Sequence, residues 1–202
     1  YELIRTLAKP YGESWFAQYA VAIVALQAGD SLEAIERAEL ALELDPENGK
    51  PHMIHARALM FDGRDEEAIE YLAHIIGDSP SPDPDARMEL ALMYMLTGRD
   101  DDALSQVSQV MLENSGRVDA LRLMAIINFR LERLDAAWDD FEDLLATGQY
   151  RMDALYYMAR ISDYREEYER AVRLYREVQW GINTVFSPVS YTHLRAHETR
   201  PY

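Results

Sequence analysis

An all-α fold made of paired helices is what this sequence of 202 residues predicts, and three observations carry that expectation. The first is punctuation. Gly12, Gly29, Gly49, Gly63, Gly77, Gly98, Gly116, Gly148 and Gly181 separate apolar stretches with helical spacing, and Pro10, Pro46, Pro51, Pro80, Pro82 and Pro84 cluster at some of the same joints. A fixed φ and a missing N–H are harmless at a joint and damaging inside a helix. The second is composition: the segments between joints, about 12 to 14 residues each, are rich in Ala, Leu, Glu, Met and Arg, good helix formers, and none alternates apolar and polar residues over strand length. The third is a fixed period. Alanine recurs as Ala22, Ala56, Ala91, Ala125 and Ala159, and again as Ala34, Ala68, Ala103, Ala137 and Ala171, both ladders stepping by 34, 35, 34 and 34. Small residues in that register let two helix axes approach closely, and a larger side chain there would push them apart.

This period resembles that of the tetratricopeptide repeat family, a helix–turn–helix unit of about 34 residues. The resemblance rests on the two ladders, on turn glycines Gly29, Gly63 and Gly98, on closing prolines Pro46 and Pro80, and on the large residues Leu72, Val107, Phe141 and Tyr175 at one position of the second helix. It spans about residues 15 to 182. A lone amphipathic pair cannot bury its apolar face, so the resemblance implies a right-handed α-solenoid of stacked antiparallel pairs.

The elements follow in order. Residues 1–12 are expected to be the remnant second helix of a preceding repeat, with Ile4 and Leu7 one period before Ala38 and Ala41. The chain begins at Tyr1 without an initiator Met, so upstream sequence is expected. Repeat 1 covers 15–48, turning at Gly29 and closing at Pro46. Repeat 2, 49–83, turns through Gly63 and "GRDEEA", closes at Pro80, and runs into the joint Ser79–Asp85 that holds the one extra residue. Repeat 3, 84–117, turns through Gly98 and "GRDDDA", with Ser115 in place of the closing proline. Repeat 4, 118–151, has Glu132 at the turn and Gln149 at the close; repeat 5, 152–185, turns at Glu166. The acids of the two "GRD" turns are expected to satisfy amide donors at the helix starts and to oppose the macrodipole. The last stretch, 189–202, breaks the pattern; "VSYTHLRAHET" (Val189–Thr199) looks like a translated sequencing-library adaptor, and such foreign segments are excluded from fold reasoning.

Charge narrows the function. Lys and Arg number 20 against 36 Asp and Glu, a net charge of −16, which disfavours nucleic acid and anionic membrane surfaces, because both are bound by clustered cations. The chain has no cysteine, hence no disulfide framework, thiolate nucleophile or thiolate metal site. No apolar run reaches the roughly 18 residues of a membrane span, and no signal peptide opens the chain.

Chemistry-bearing patterns are weak. His52 and His55 with His74 could be imagined around a metal but have no defined carboxylate support, and His193 and His197, four apart, fall in the adaptor-like stretch, so no metal or cofactor is expected. Asp139 with Asp140, Glu142 with Asp143, and Glu166 with Glu167 are adjacent in helices, so they diverge instead of converging on a substrate. Phosphate-loop, GxSxG and HExxH motifs are missing from the sequence. No catalysis is expected.

The resemblance directs attention to the concave face made by the first helices. The family's groove positions fall here on Tyr19, Met53, Arg57, Met60, Met88, Leu92, Met95, Arg122, Phe129, Arg130, Tyr156 and Arg160, within a wider set that includes Phe16, Ile23, Phe61, Leu96, Ile126, Asp153 and Tyr164. Methionine adapts to irregular apolar surfaces and arginine pairs bidentately with carboxylates, so the expected ligand is a peptide or helix of a partner protein. Ile23, Arg57, Leu92, Ile126 and Arg160 stand where the family's carboxylate clamp needs asparagine, which disfavours that clamp. The expected function is therefore a non-catalytic protein-interaction scaffold. The alternative is a regulatory or substrate-recruiting segment of a larger enzyme, such as a glycosyltransferase or protease complex. "MDALYYMARISDYREEYERAVRLYREV" (Met152–Val178) is also similar to late repeats of bacterial envelope lipoproteins, including protease adaptors. That similarity implies a periplasmic or outer-membrane setting, with a cytoplasmic one as the alternative.

Overall fold

The computed structural model describes residues 2–181, all of whose regular elements are helical. The segment 189–202, the two histidines within it and the end of the fifth expected repeat lie outside the described residues. Two compact units divide at Thr97 and Gly98.

The first unit holds α1 (Glu2–Ala8), a short 3-10 turn (Lys9–Tyr11), α2 (Trp15–Gln27), α3 (Ser31–Leu44), α4 (Gly49–Phe61), α5 (Asp65–Asp78) and α6 (Pro84–Leu96). The second holds α7 (Asp100–Glu113), α8 (Val118–Arg130), α9 (Leu134–Ala146), α10 (Arg151–Tyr164) and α11 (Tyr168–Gly181). Consecutive helices pack on one another within each unit, α2 on α3, α3 on α4, α8 on α9 and α10 on α11 among them. First helices also reach the next first helix: α2 touches α4, α4 touches α6 and α8 touches α10.

The alanine ladders are the floor of this packing. Ala22, Ala56, Ala91, Ala125 and Ala159 are 0% exposed, and so are Ala34, Ala68, Ala103 and Ala137, with Ala171 at 3%. Around Ala22 and Ala38 the first core cluster includes Ile54, with Tyr19 and Ile23 against it. In the second unit Val107, Val110, Ile127, Phe141, Leu144 and Ile161 are fully buried, and the Phe141 ring stacks flat on Tyr157 at 5.1 Å.

The turn inside each of four pairs follows one design. Gly29, Gly63, Glu132 and Glu166 all adopt positive φ, and in each turn the next N–H reaches back five residues: Asp30 to Ala25, Arg64 to Leu59, Arg133 to Asn128 and Glu167 to Ser162, at 2.8–2.9 Å. This is a Schellman closure, which satisfies otherwise orphaned carbonyls at the helix end. Glycine enters the left-handed region freely, whereas the Cβ of Glu132 (φ 58) and Glu166 (φ 60) meets steric resistance there.

Capping differs from the sequence expectation. Asp30, Asn48 and Asp83 do accept backbone N–H groups at the starts of α3, α4 and α6. At α5 and α7 the cap position is Arg64 or Arg99, with no side-chain capping bond. The first-turn acids Glu67 and Asp102 instead accept from those guanidinium groups, at 2.8 Å from Nε. The arginine stands where a short acceptor would be needed, so the acids retain only their favourable placement against the macrodipole.

Candidate partner-binding surface

In the first unit, α2, α4 and α6 supply the expected surface. Tyr19 is half-buried against the core cluster and meets Trp15 at 6.1 Å and Phe16 at 6.5 Å between ring centroids. Met53 and Met60 are half-buried, and Leu92, Leu96, Phe16 and Phe61 are exposed. Met88 and Met95 are buried and offer little to a partner. Arg57 on α4 donates through both Nε and Nη2 to the carboxylate of Glu89 on α6. The Glu89 bond raises the guanidinium pKa further above its ordinary range, against the opposing effect of burial.

In the second unit, α8 and α10 bring Phe129, Tyr156 and Arg160 together. The Arg160 guanidinium carbon lies 4.8 Å from the Phe129 ring centroid and 5.9 Å from that of Tyr156. Phe129 is buried edge-on against Tyr157 (5.2 Å) and Tyr164 (5.9 Å), while Tyr156 and Tyr164 remain exposed. The patch is thus a set of rings with a cation laid over it, an arrangement that holds the guanidinium plane in place. Arg122 bonds Asp153 on α10 and lies 5.1 Å from the Tyr150 ring. Arg130 turns instead to Asp100 at the start of α7, at 2.8 Å.

Three of the four arginines expected to offer charge to a ligand are therefore engaged by carboxylates of the chain itself, and the fourth lies over aromatic rings. Glu89, Asp100, Tyr150 and Tyr157, which complete these arrangements, were missed by pattern reading. A signal existed: Arg57 and Glu89 are 32 apart, Arg122 and Asp153 are 31 apart, and Arg130 follows Asp100 by 30. Arg165 and Asp135, bonded at 2.5 Å, are also 30 apart. Opposite charges separated by a little less than one period meet across neighbouring pairs.

The other candidates find local roles. His52 accepts at Nδ1 from the Tyr71 hydroxyl (2.5 Å) and donates from Nε2 to the Pro46 carbonyl (3.1 Å); the carbonyl can only accept, which fixes the tautomer. His55 lies edge-on to Tyr71 and 3.5 Å from Glu39, and His74 pairs with Asp78 at 3.2 Å. Among the described residues no group of three or more His, Asp or Glu is arranged to hold a metal ion. Asp140 accepts from Asn128 at 2.8 Å, and burial pushes its pKa up despite that bond. Among the described residues no helix is long and apolar enough to cross a membrane.

Comparison with known proteins places this architecture. Residues 25–83 match the family model described as tetratricopeptide repeat. Among solved structures, the chain is similar to the nearly identical TPR-like repeats of a Podosopora anserina kinesin light chain (TM-score 0.69, 20% identity, covering 84% of this chain and 94% of that one). It is similar to pilF of Pseudomonas aeruginosa (TM-score 0.72, 18% identity, 83% and 76%) and to YrrB, a TPR protein with an unusual peptide-binding site (TM-score 0.62, 16% identity, 96% and 97%). No curated protein matches in sequence. Residues 25–83 thus match the tetratricopeptide repeat model, and the chain shares the fold of solved tetratricopeptide repeat structures.

Proposed function

We propose that the chain is a non-catalytic interaction scaffold that takes a peptide or helix of a partner protein on the exposed faces of its first helices. The observation that carries this reading is the Arg160–Tyr156–Tyr164 patch, in which exposed rings surround a guanidinium held over Phe129. Rigid aromatic side chains with a fixed cation are the features that dominate binding energy at protein interfaces. Met53, Met60, Phe61 and Leu92 provide the apolar counterpart in the first unit. The peptide-binding site named for YrrB supports the same class of partner. The repeats proposed at 15–48, 49–83, 84–117, 118–151 and 152–185 are supported by first helices that begin at Trp15, Gly49, Pro84, Val118 and Arg151.

The ion pairs refine the ligand. A ligand carboxylate aimed at Arg57 or Arg122 has to displace Glu89 or Asp153, so apolar and aromatic anchors on the ligand carry most of the affinity. The test uses peptides selected from a displayed random library by the full chain. Tyr156→Ser with Tyr164→Ser, or Phe61→Ser with Leu92→Ser, is expected to weaken at least one selected class by about tenfold or more. Unchanged affinity of every selected peptide for both variants would remove the surface from consideration.

A further inference from the structure

An apolar strip lies open on α4 and α6, well inside the chain. Phe61, the last residue of α4, is 52% exposed, and Leu92 and Leu96 on α6 are each 36% exposed, although α4 has α2 against one side and α6 against the other. Phe61 and Leu96 hold one register position on neighbouring first helices. Leu92 lies one helical turn before Leu96 on the same face, and Met60 is half-buried beside Phe61. At the register position of Phe61, α2 has Gln27 and α8 has Arg130. The strip is therefore a local departure from the repeat plan, made at positions that packing leaves exposed.

Carboxylates border the turn end of this strip. Asp62 follows Phe61, and its Oδ1 accepts from the Ser31 hydroxyl at 3.0 Å, which ties this turn to the start of α3. Asp65 begins α5. Both aspartates are exposed, and neither joins an ion pair among the described residues. Arg64, the base between them, gives Nε and Nη2 to Glu67 instead, at 2.8 and 2.5 Å. Asp62 belongs to this turn alone, since the corresponding residues are Ala28, Thr97, Leu131 and Arg165. Toward the other end of the strip Arg57 and Glu89 take up each other's charge. The strip thus has a polarity, apolar along its length and acidic at the turn.

We propose that the strip takes a cationic amphipathic helix of a partner protein, with apolar residues over Phe61, Leu92 and Leu96 and with Lys or Arg over Asp62 and Asp65. The proposal rests on the reading of the first-helix faces as the binding surface and adds the charge and the direction of the partner. Every regular element among the described residues is helical, so the surface has no strand edge to pair the backbone of an extended ligand, whereas a helix satisfies its own. A second copy of the chain has the wrong sign: the net charge is −16, and within residues 1–97 acids outnumber bases by more than two to one. Opposite charge at the rim guides approach and register, and the apolar contact supplies the affinity.

The probe is a labelled helical peptide of about 16 residues with a leucine stripe flanked by lysines, compared with the same peptide carrying glutamates in their place. With the full chain, fluorescence anisotropy is expected to show binding of the lysine peptide that weakens as salt is raised. Asp62→Lys with Asp65→Lys weakens it about tenfold or more, and Asp62→Asn with Asp65→Asn, which retains an acceptor for Ser31, weakens it by a smaller factor. Phe61→Ser with Leu92→Ser weakens it about tenfold or more. Glu36→Lys with Glu43→Lys, at two exposed acids of α3, changes it by less than about twofold, which separates docking from general attraction to an acidic protein. Far-ultraviolet circular dichroism of each variant checks that the helices persist. Failure to bind the lysine peptide, equal affinity for the two peptides, or equal loss in the Glu36–Glu43 and Asp62–Asp65 variants overturns the proposal. If the glutamate peptide binds and Phe61→Ser with Leu92→Ser removes it, the proposal falls while the surface reading stands; if neither peptide responds to that variant, the strip is lost to both. A self-association abolished by the same variant would make a second copy the occupant and would also overturn the proposal.

Discussion

His55 occupies a position held in later repeats by Leu90, Met124 and Met158. Its Nδ1 is buried without a hydrogen-bond partner in the structure, and burial lowers its pKa below 6.5, outweighing the opposing pull of Glu39. Because the folded protein resists protonating this ring, the unfolded chain binds a proton more readily as pH falls. The stability held above pH 6.5 is lost as pH drops through the depressed folded value. His55→Met is expected to flatten the pH dependence and to raise stability at about pH 5, as read by denaturant melts at about pH 7.5 and about pH 5. Tyr71, pushed up to about 12 mainly by burial, stays protonated across this range and keeps its bond to His52. A second residue-scale test concerns Arg57. Its removal leaves the buried Glu89 carboxylate without its bidentate donor, so Arg57→Ala is expected to cost about 1–2 kcal/mol, less than a fully buried pair because Arg57 is half-exposed. Adding Glu89→Leu, the residue at the corresponding Leu123, should recover most of that loss.

At the scale of the element, the turns inside the pairs make the sharpest comparison. Gly63 has φ 81, and a Cβ built on it meets no atom within 4 Å, so Gly63→Ala tests backbone conformation alone. It should lower stability by about 1 kcal/mol. Glu166→Gly, at φ 60, should raise it by about the same amount, with thermal melting as the measurement. The turns also show what a sequence discloses about an element. The two alanine ladders were legible because a steric limit applied at the same place in every pair leaves the same mark each time. The replacement of turn glycine by Glu132 and Glu166 was legible as a departure, while the common backbone closure beneath it was not. Hydrogen bonds from main-chain atoms leave no residue signature. The caps at Arg64 and Arg99 were misread because acids in a first turn have two available partners, the backbone and a neighbouring arginine.

For the molecule as a whole, stacking makes stability a matter of neighbours. The exposed Val172 and Tyr168 mark α11 as covered on fewer sides than α9, whose Trp138, Phe141 and Leu144 are buried. Hydrogen exchange should therefore be faster in α11 than in α8 and α9 by about tenfold or more, with mass spectrometry of peptides from each helix as the readout. Similar protection of α11 and α9 would contradict this local picture. The helical fold was legible in the period; the candidate surface was legible only in part. Met53 and Met88 share one register position, as do Met60 and Met95, yet the first of each couple is half-buried and the second buried. Period fixes the angle of a side chain around its helix, but burial depends on the bulk of whatever faces it, and that changes from pair to pair.

The Arg57–Glu89 bond bears on misassembly. Repeats built to one plan invite a mistake in folding, in which a pair stacks against the right kind of surface on the wrong neighbour. The positions corresponding to Glu89 in other first helices are Ala20, Ile54, Leu123 and Tyr157, so no other first helix has an acid there, while those corresponding to Arg57 are Ile23, Leu92, Ile126 and Arg160. Were α4 to settle against α8 in place of α6, its guanidinium would face Leu123, and Glu89 would be left with no arginine. A polar pair written into a single junction thus acts as an address, recognising one neighbour among several that look alike and leaving the mistaken arrangements with an unmatched charge.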